Sequence, residues 1–192
     1  MHSSRRIYAS FTFAILLVAL HPVLASAQAR QSVAEANTLT VTPFLSTTFG
    51  SSEGLGGSIG LGAAVGYDVT RNLGFEGEVA HAFDALGNDA NLDASITTYS
   101  VNGVYHFDVR HVTPYATFGL GLEHVGRSVK NPDPAALYPA SSTEVAYNFG
   151  GGVKYAVSER FLARADLRRF QSADLSPDYW RLYGGLSWWI KR

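Results

Sequence analysis

Residues 145–166 read VAYNFGGGVKYAVSERFLARAD, and this stretch decides the fold class of the chain. From Val145 to Tyr155 every second residue is apolar or glycine, while the residues between them are polar or small. A period of two is typical of a β-strand with one apolar face and one polar face. After a short connector of residues 157–160 the alternation resumes at Phe161, so the stretch is predicted to form a β-hairpin.

The same alternation recurs from Thr38 to the end of the chain, and no helical period competes with it there. We therefore predict eight strands of about ten residues, a length that crosses a bilayer when the strand is tilted. The predicted strands are residues 39–49, 59–68, 75–83, 99–107, 116–123, 145–155, 161–168 and 179–190.

Short and long connections alternate between the predicted strands. The long ones are rich in Gly, Ser, Asp, Asn and Pro, and they cover residues 50–57, 84–94, 127–143 and 171–178. Short turns at one end and long loops at the other are typical of a meander that closes on itself. The predicted fold is therefore all-β, an eight-stranded antiparallel up-and-down transmembrane β-barrel.

On the apolar face, aromatic residues occupy both ends of the strands, with Val, Leu, Ala and Gly between them. Aromatic rings with a polar edge favour the headgroup level of a bilayer, so two aromatic belts around an aliphatic band predict a lipid-facing surface. The belt beside the short connectors and the C-terminus is predicted to contain Tyr67, Phe75, Tyr105, Phe107, Tyr155, Phe161 and Trp188. The belt beside the long connections is predicted to contain Phe49, Phe83, Tyr99, Tyr147 and Trp180.

The polar face is predicted to line the interior of the barrel. It interleaves charged residues with glycines, which leave room for long side chains inside a narrow barrel. Acids and bases that are enclosed together are left to pair with each other, although their partners depend on a strand register that the sequence does not reveal. The predicted lumen charge network comprises Glu76, Glu78, Glu123, Glu144, Lys154, Arg164, Asp166, Arg168 and Arg181.

The N-terminus has the three parts of a secretory signal peptide. Arg5 and Arg6 precede an apolar run, and Ala25-Ser26-Ala27 has the form of a cleavage site. We predict a cleaved signal peptide over residues 1–27, a flexible lead-in over 28–37 and an outer-membrane barrel domain over 38–192. An uncleaved anchor helix is the alternative, but the apolar run is shorter than the roughly 20 residues of a membrane span.

The composition excludes several classes of function. The chain has 192 residues, a formal net charge of −1 and no basic patch, so a nucleic-acid partner is not expected. It has no cysteine, which excludes disulfides, thiolate metal sites and a cysteine nucleophile. Its six histidines are scattered without metal-ligand spacing, so we expect neither a metal nor a cofactor.

With these features, residues 38–192 resemble the small eight-stranded outer-membrane barrels, the OmpA-like transmembrane-domain and related outer-membrane β-barrel family. The resemblance implies the outer membrane of a Gram-negative cell, contact with outer-membrane lipid and lipopolysaccharide, and insertion by the outer-membrane assembly machinery. We expect a non-enzymatic structural or surface-interaction role, with a lumen plugged by charged side chains. The longest loop, residues 127–143 from Arg127 to Thr143, is predicted to bind an unknown extracellular partner.

Two alternatives remain open at this point. A lipid A-modifying enzyme of the same architecture would place His124 and Ser128 near the loop end of a strand, but these residues are four apart, with Gly126 between them on the same face. A soluble lipocalin-like carrier also has eight strands and a signal peptide, but it would carry aliphatic residues inside and charges outside.

Overall fold

The computed structural model describes residues 34–50, 57–83, 92–107, 112–129, 141–172 and 178–191. The predicted signal peptide and most of the predicted lead-in and long connections lie outside these residues. Within the described part of the chain, no helix has the length and apolar character needed to span a membrane.

The described residues form a closed antiparallel barrel. Its strands are β1 (Thr38–Phe49), β2 (Ser58–Asp68), β3 (Leu73–Phe83), β4 (Leu92–His106), β5 (Val112–Val129), β6 (Ser142–Ala156), β7 (Phe161–Ser172) and β8 (Tyr179–Lys191). Each strand pairs with the next along the chain, and β1 pairs with β8 to close the barrel. The predicted all-β up-and-down barrel of eight strands is therefore confirmed.

Four strands extend further towards the long connections than the alternation predicts. β4 begins at Leu92, β5 continues to Val129, β6 begins at Ser142 and β7 continues to Ser172. The extensions of β4 and β5 pair with each other, as in the pair Ala94 and Arg127. The sequence hides these extensions because their residues are mostly polar or small on both faces, which removes the contrast on which a period of two depends.

The bounds predicted for the longest loop are consequently wrong at both ends. Arg127 lies in β5, and Thr143 lies in β6, where it pairs with His124. Between the end of β5 and the start of β6 lie residues 130–141, of which only Ser141 is among the described residues. The ladder between β5 and β6 extends into polar residues because its backbone hydrogen bonds do not depend on an apolar face.

The two faces of the sheet differ in the opposite sense to those of a soluble protein, with apolar side chains outside and polar side chains inside. Outward residues include large aliphatic side chains such as Ile59, which is 73% exposed. Inward residues are largely polar, charged or small, and most of the charged ones are buried. Successive side chains of a strand point to opposite faces, so the period of two seen in the sequence separates the surface from the lumen.

The connector between β2 and β3 is a tight turn. Between β2 and β3, Thr70 Oγ1 accepts a hydrogen bond from the backbone N–H of Leu73 at 2.9 Å. The described end of the predicted lead-in, residues 34–37, also has defined contacts: Ala34 is buried, and the N–H of Asn37 donates to the carbonyl of Asp68 at 2.7 Å.

Candidate functional site

The inward side chains of β7 show how the lumen is organised. Counted from the short connector, the first five are Leu162, Arg164, Asp166, Arg168 and Phe170, and all five are buried. Because alternate residues of a strand share a face, this one strand contributes an apolar layer, three charged positions and a second apolar layer. The lumen therefore consists of layers that follow one another along the barrel axis, and it is not uniformly polar.

Arg168 lies at the centre of the charged part, with none of its surface exposed. Its Nη2 is 2.9 Å from Glu76 Oε1, its Nη1 is 3.2 Å from Glu78 Oε2 and its Nε is 2.8 Å from Asp166 Oδ1. β3, which carries both glutamates, and β7 lie four strands apart around the barrel in either direction. The ion pairs therefore cross the lumen and connect opposite walls.

Two further arginines complete this network. Arg164 pairs with Glu76 and also lies 3.2 Å from Asp166, while Arg181 of β8 pairs with Glu78. The central network thus contains three carboxylates and three guanidinium groups, and these six side chains carry no net formal charge. Balanced charges are what a buried cluster requires, because an unpaired buried charge is strongly unfavourable.

Tyrosine hydroxyls and an aromatic ring occupy further sides of the three guanidinium groups. Arg164 Nε donates to Tyr115 Oη at 2.7 Å, and Arg168 Nη2 donates to Tyr183 Oη at 3.0 Å. The Arg181 guanidinium lies over the Phe170 ring, 4.3 Å from its centroid. Hydrogen bonds to charged groups and cation–π contacts both strengthen when water is excluded, so these contacts hold the network in place.

Glycines on neighbouring strands provide the space for the network. Gly150 pairs with Arg168, and Gly152 pairs with Asp166. A Cβ at Gly152 would lie 2.5 Å from Tyr115 Oη, and a Cβ at Gly150 would collide with the carbonyl of Leu167. These positions tolerate only glycine without a shift of the neighbouring wall, because the obstacles include backbone atoms.

Apolar layers lie on both sides of the network, although the predicted lumen lining was polar. The loop-end layer, beside the long connections, consists of Ala82, Ala94, Ile96, Val125, Phe170 and Tyr179. The turn-end layer, beside the short connectors, consists of Leu162 and Trp189 with Ala156 packed against them. The alternation does contain a signal for the loop-end layer. Phe170 follows Arg168 by two residues, so it must share the inward face.

Lys154 lies in a separate polar cluster near the short connectors. Its Nζ donates to His106 Nε2 at 2.8 Å, and His106 Nδ1 lies 3.8 Å from Asp68 Oδ1. Asp68 also accepts a hydrogen bond from Thr38 Oγ1 at 3.3 Å. Lys154 was predicted to belong to the charge network, but its polar neighbours come from the ends of β2 and β4.

Glu123 and Glu144 lie on the loop side of the central network. They face each other in the register of β5 and β6. Glu123 is fully buried and accepts hydrogen bonds from Tyr179 Oη at 2.8 Å and from Ser172 Oγ at 3.3 Å. Glu144 is half-buried. The nine residues predicted as one network therefore occupy three levels of the lumen.

The twelve aromatic residues predicted as belts all point outward. Eleven are between 37% and 61% exposed, and Trp180 is half-buried. Trp180 lies beneath the Arg169 guanidinium, which is 5.7 Å from its ring, and Arg169 pairs with Asp178 at 3.1 Å.

The residues considered for catalysis lie near the loop end of β5. His124 Nδ1 is 2.8 Å from Thr143 Oγ1 on β6, and Ser128 is exposed and pairs with Asp93 on β4. Across the described ranges, no group of three or more His, Asp or Glu side chains is arranged to hold a metal ion.

Comparison with known proteins defines the class of this barrel. The outer membrane protein beta-barrel domain family matches residues 12–188, and the chain belongs to that family. It is an outer-membrane β-barrel protein, which excludes the soluble carrier. A carrier would also bury its aliphatic side chains inside, whereas here they lie outside.

Individual relatives are more distant. Outer membrane protein PagN of Salmonella typhimurium is 31% identical over 102 residues, which cover 48% of this chain and 42% of that protein. The match therefore spans less than half the length of this curated relative.

Solved structures show the same fold. Neisserial surface protein A has a TM-score of 0.60 at 19% identity, covering 79% of this chain and 95% of its own. The N-terminal barrel of Pseudomonas aeruginosa OprF has a TM-score of 0.52 at 20% identity, covering 80% and 98%. Ail of Yersinia pestis has a TM-score of 0.51 at 16% identity, covering 81% and 99%.

Proposed function

We propose that this protein is a non-enzymatic outer-membrane barrel whose lumen is plugged and whose interactions with other molecules occur at its surface. The observation that carries the proposal is the position of Arg168, fully buried among three carboxylates drawn from two opposite walls. Eight strands enclose an interior that side chains can just fill. A pore would need this network and both apolar layers to move aside.

The layered lumen supports closure in two physically different ways. The ion pairs connect opposite walls, so opening the middle of the barrel separates charges that have been removed from water. The apolar layers at either end keep water away from these pairs, which maintains the low dielectric in which they are strong.

Conductance across a planar bilayer tests the plug. The unaltered protein should show little or no steady conductance at neutral pH, and Arg164→Ala or Arg181→Ala should raise the frequency of openings. Arg169→Ala is the matched control, because Arg169 is on the outer surface and should leave conductance unchanged. Large, permanently open channels in the unaltered protein would place it among the porins instead.

The surface role is assigned to the long connections, above all to the one between β5 and β6. Its residues Pro132, Pro134 and Pro139 restrict the unfolded conformations, which lowers the entropy lost when the loop orders on a partner. Protease added to intact cells should cut this connection and leave the strands whole. Cleavage that occurs only after lysis would instead place the loop on the periplasmic side.

Absence of enzymatic activity is part of the proposal. The hydrogen bond of His124 is to Thr143 on the neighbouring strand, which suits a residue of the outer rim. Lipid A from cells that carry His124→Ala should have the same mass spectrum as lipid A from cells with the unaltered protein. A change in acyl chains that depends on His124 would establish a lipid A-modifying enzyme.

Export and assembly complete the proposal. Residues 1–27 serve as the cleaved signal, after which the outer-membrane assembly machinery inserts the barrel among lipid and lipopolysaccharide. N-terminal sequencing of the protein extracted from outer membranes should begin at Gln28. A mature protein that begins at Met1 would support the anchor-helix alternative.

A further inference from the structure

An apolar groove lies on the outer surface of β3, β4 and β5, at the end with the short connectors. It has a volume of about 380 Å³ and is almost wholly apolar. Its side chains come from the outward face, which the family places in contact with membrane lipid. The residues that shape it are Leu73, Phe75, Gly103, Tyr105, Ala116 and Phe118.

Strand register explains why the groove exists. Phe75 and Phe118 both pair with Gly103, one from each side, so the glycine leaves a gap one side chain wide between two rings. In the next row towards the connectors, Leu73 pairs with Tyr105, which pairs with Ala116. The two rings are 61% and 57% exposed and form the walls, whereas the glycine and alanine form the floor.

One end of the groove lies at the connector between β2 and β3. Val69 and Thr70 line this end, and Arg71 follows them and is exposed. In outer-membrane barrels the short connectors face the periplasm, so this end lies at the headgroup level of the inner leaflet. An apolar slot beside a connector that carries an exposed cation complements a phospholipid, whose acyl chain is apolar and whose phosphate is anionic.

We propose that this groove binds one acyl chain of a periplasmic-leaflet phospholipid, with the phosphate of that lipid beside Arg71. The bilayer covers this face, so an acyl chain is the apolar partner at hand. Packing against both rings and the exposed backbone floor gives one chain more contact than a flat part of the barrel offers. This proposal rests on the outer-membrane location and on short connectors that face the periplasm, and not on the plugged lumen, so open channels in the conductance assay would leave it intact.

Two outward glycines allow a matched test. A Cβ at Gly103 would meet only the Phe118 carbonyl, at 3.9 Å, and a Cβ at Gly77 would meet nothing within 4 Å. Both positions therefore accept a side chain, but only Gly103 lines the groove. Gly103→Leu should fill the groove, whereas Gly77→Leu adds the same side chain on the adjacent strand outside it.

The measurement is native mass spectrometry of the full mature protein after extraction in mild detergent and exposure to phosphatidylethanolamine or phosphatidylglycerol. The unaltered protein should retain one phospholipid, and Gly103→Leu should lower the retained fraction about fivefold or more, while Gly77→Leu changes it less than about twofold. Arg71→Gln should weaken retention of the anionic phosphatidylglycerol more than that of phosphatidylethanolamine.

Several results would overturn the proposal. These are equal losses in the two leucine variants, no phospholipid retained by the unaltered protein, or retention of lipid A in place of phospholipid. A dimer that Gly103→Leu dissociates would assign the groove to a second copy of the chain. Unchanged retention of both phospholipids in Arg71→Gln would remove the phosphate from this connector.

Discussion

The lumen and the outer surface of this barrel have opposite chemistry, although the same strands supply both. The contrast is clearest at Arg168 and Arg169, which are adjacent in β7. Arg168 is fully buried and touches three carboxylates, whereas Arg169 lies outside against Trp180 and a half-exposed Asp178. The position of an arginine in the two-residue period therefore decides what it contributes here, and its residue type does not.

The largest expected effect comes from removing the central arginine. Arg168→Ala leaves three carboxylates with two guanidinium groups, and the uncompensated buried charge should cost about 3–5 kcal/mol of the free energy of unfolding. Arg169→Ala removes a partly exposed ion pair, which is worth at most about 1 kcal/mol. Reversible urea unfolding from lipid vesicles measures both, and similar values would mean that the lumen is hydrated.

The apolar layers also stabilise the lumen, so its stability does not come from the ion pairs alone. Leu162→Ala removes most of a fully buried side chain from the turn-end layer and should cost about 2–5 kcal/mol. It should also increase hydrogen exchange at the amides of the neighbouring Ala156 and Trp189. Val157→Ala, at an exposed position of the nearby connector, is the control and should leave both quantities nearly unchanged.

A charge placed on the outer surface tests that face alone. Leu120→Arg, near the middle of β5, should cost about 2–4 kcal/mol if it lies at the bilayer midplane. Val112→Arg is on the same strand and face but at the short-connector end, where the same substitution should cost only about 0–1 kcal/mol. Unfolding from vesicles compares the two, and equal penalties would contradict the lipid-facing assignment.

The smallest effect separates two glycines. Gly121 faces the lumen, where a Cβ would collide with the backbone of Tyr99, whereas Gly77 faces outward into open space. Gly121→Ala should cost about 1–3 kcal/mol because the overlap forces backbone shifts. Gly77→Ala should stay within about 0.5 kcal/mol of the unaltered protein, or stabilise it slightly. A thermal unfolding series decides between these outcomes, and equal shifts would mean that the wall moves freely at Gly121.

Much of the architecture could be predicted from residue order alone. The alternation that recurs from Thr38 to the end of the chain predicts strands, their number and their two faces, because successive side chains of a strand point to opposite sides. The ends of β4 and β5 could not be predicted in this way. Their residues are mostly polar or small, so the two faces of these strand ends do not differ in polarity. The strand ends become evident only from their pairing in the structure, as between Ala94 and Arg127.

Residue order already fixes which residues share a face of each strand, because alternate side chains of a strand point the same way. Which of the inward residues meet depends instead on how the sheet closes. Arg168 contacts Glu76 and Glu78 from the far side of the barrel, a relation set by closure of β1 on β8 and by the register of every strand between. The same closure separates Lys154 from the central network and stacks apolar layers above and below it. Contacts across the lumen join residues about ninety positions apart, and no local pattern encodes such distances.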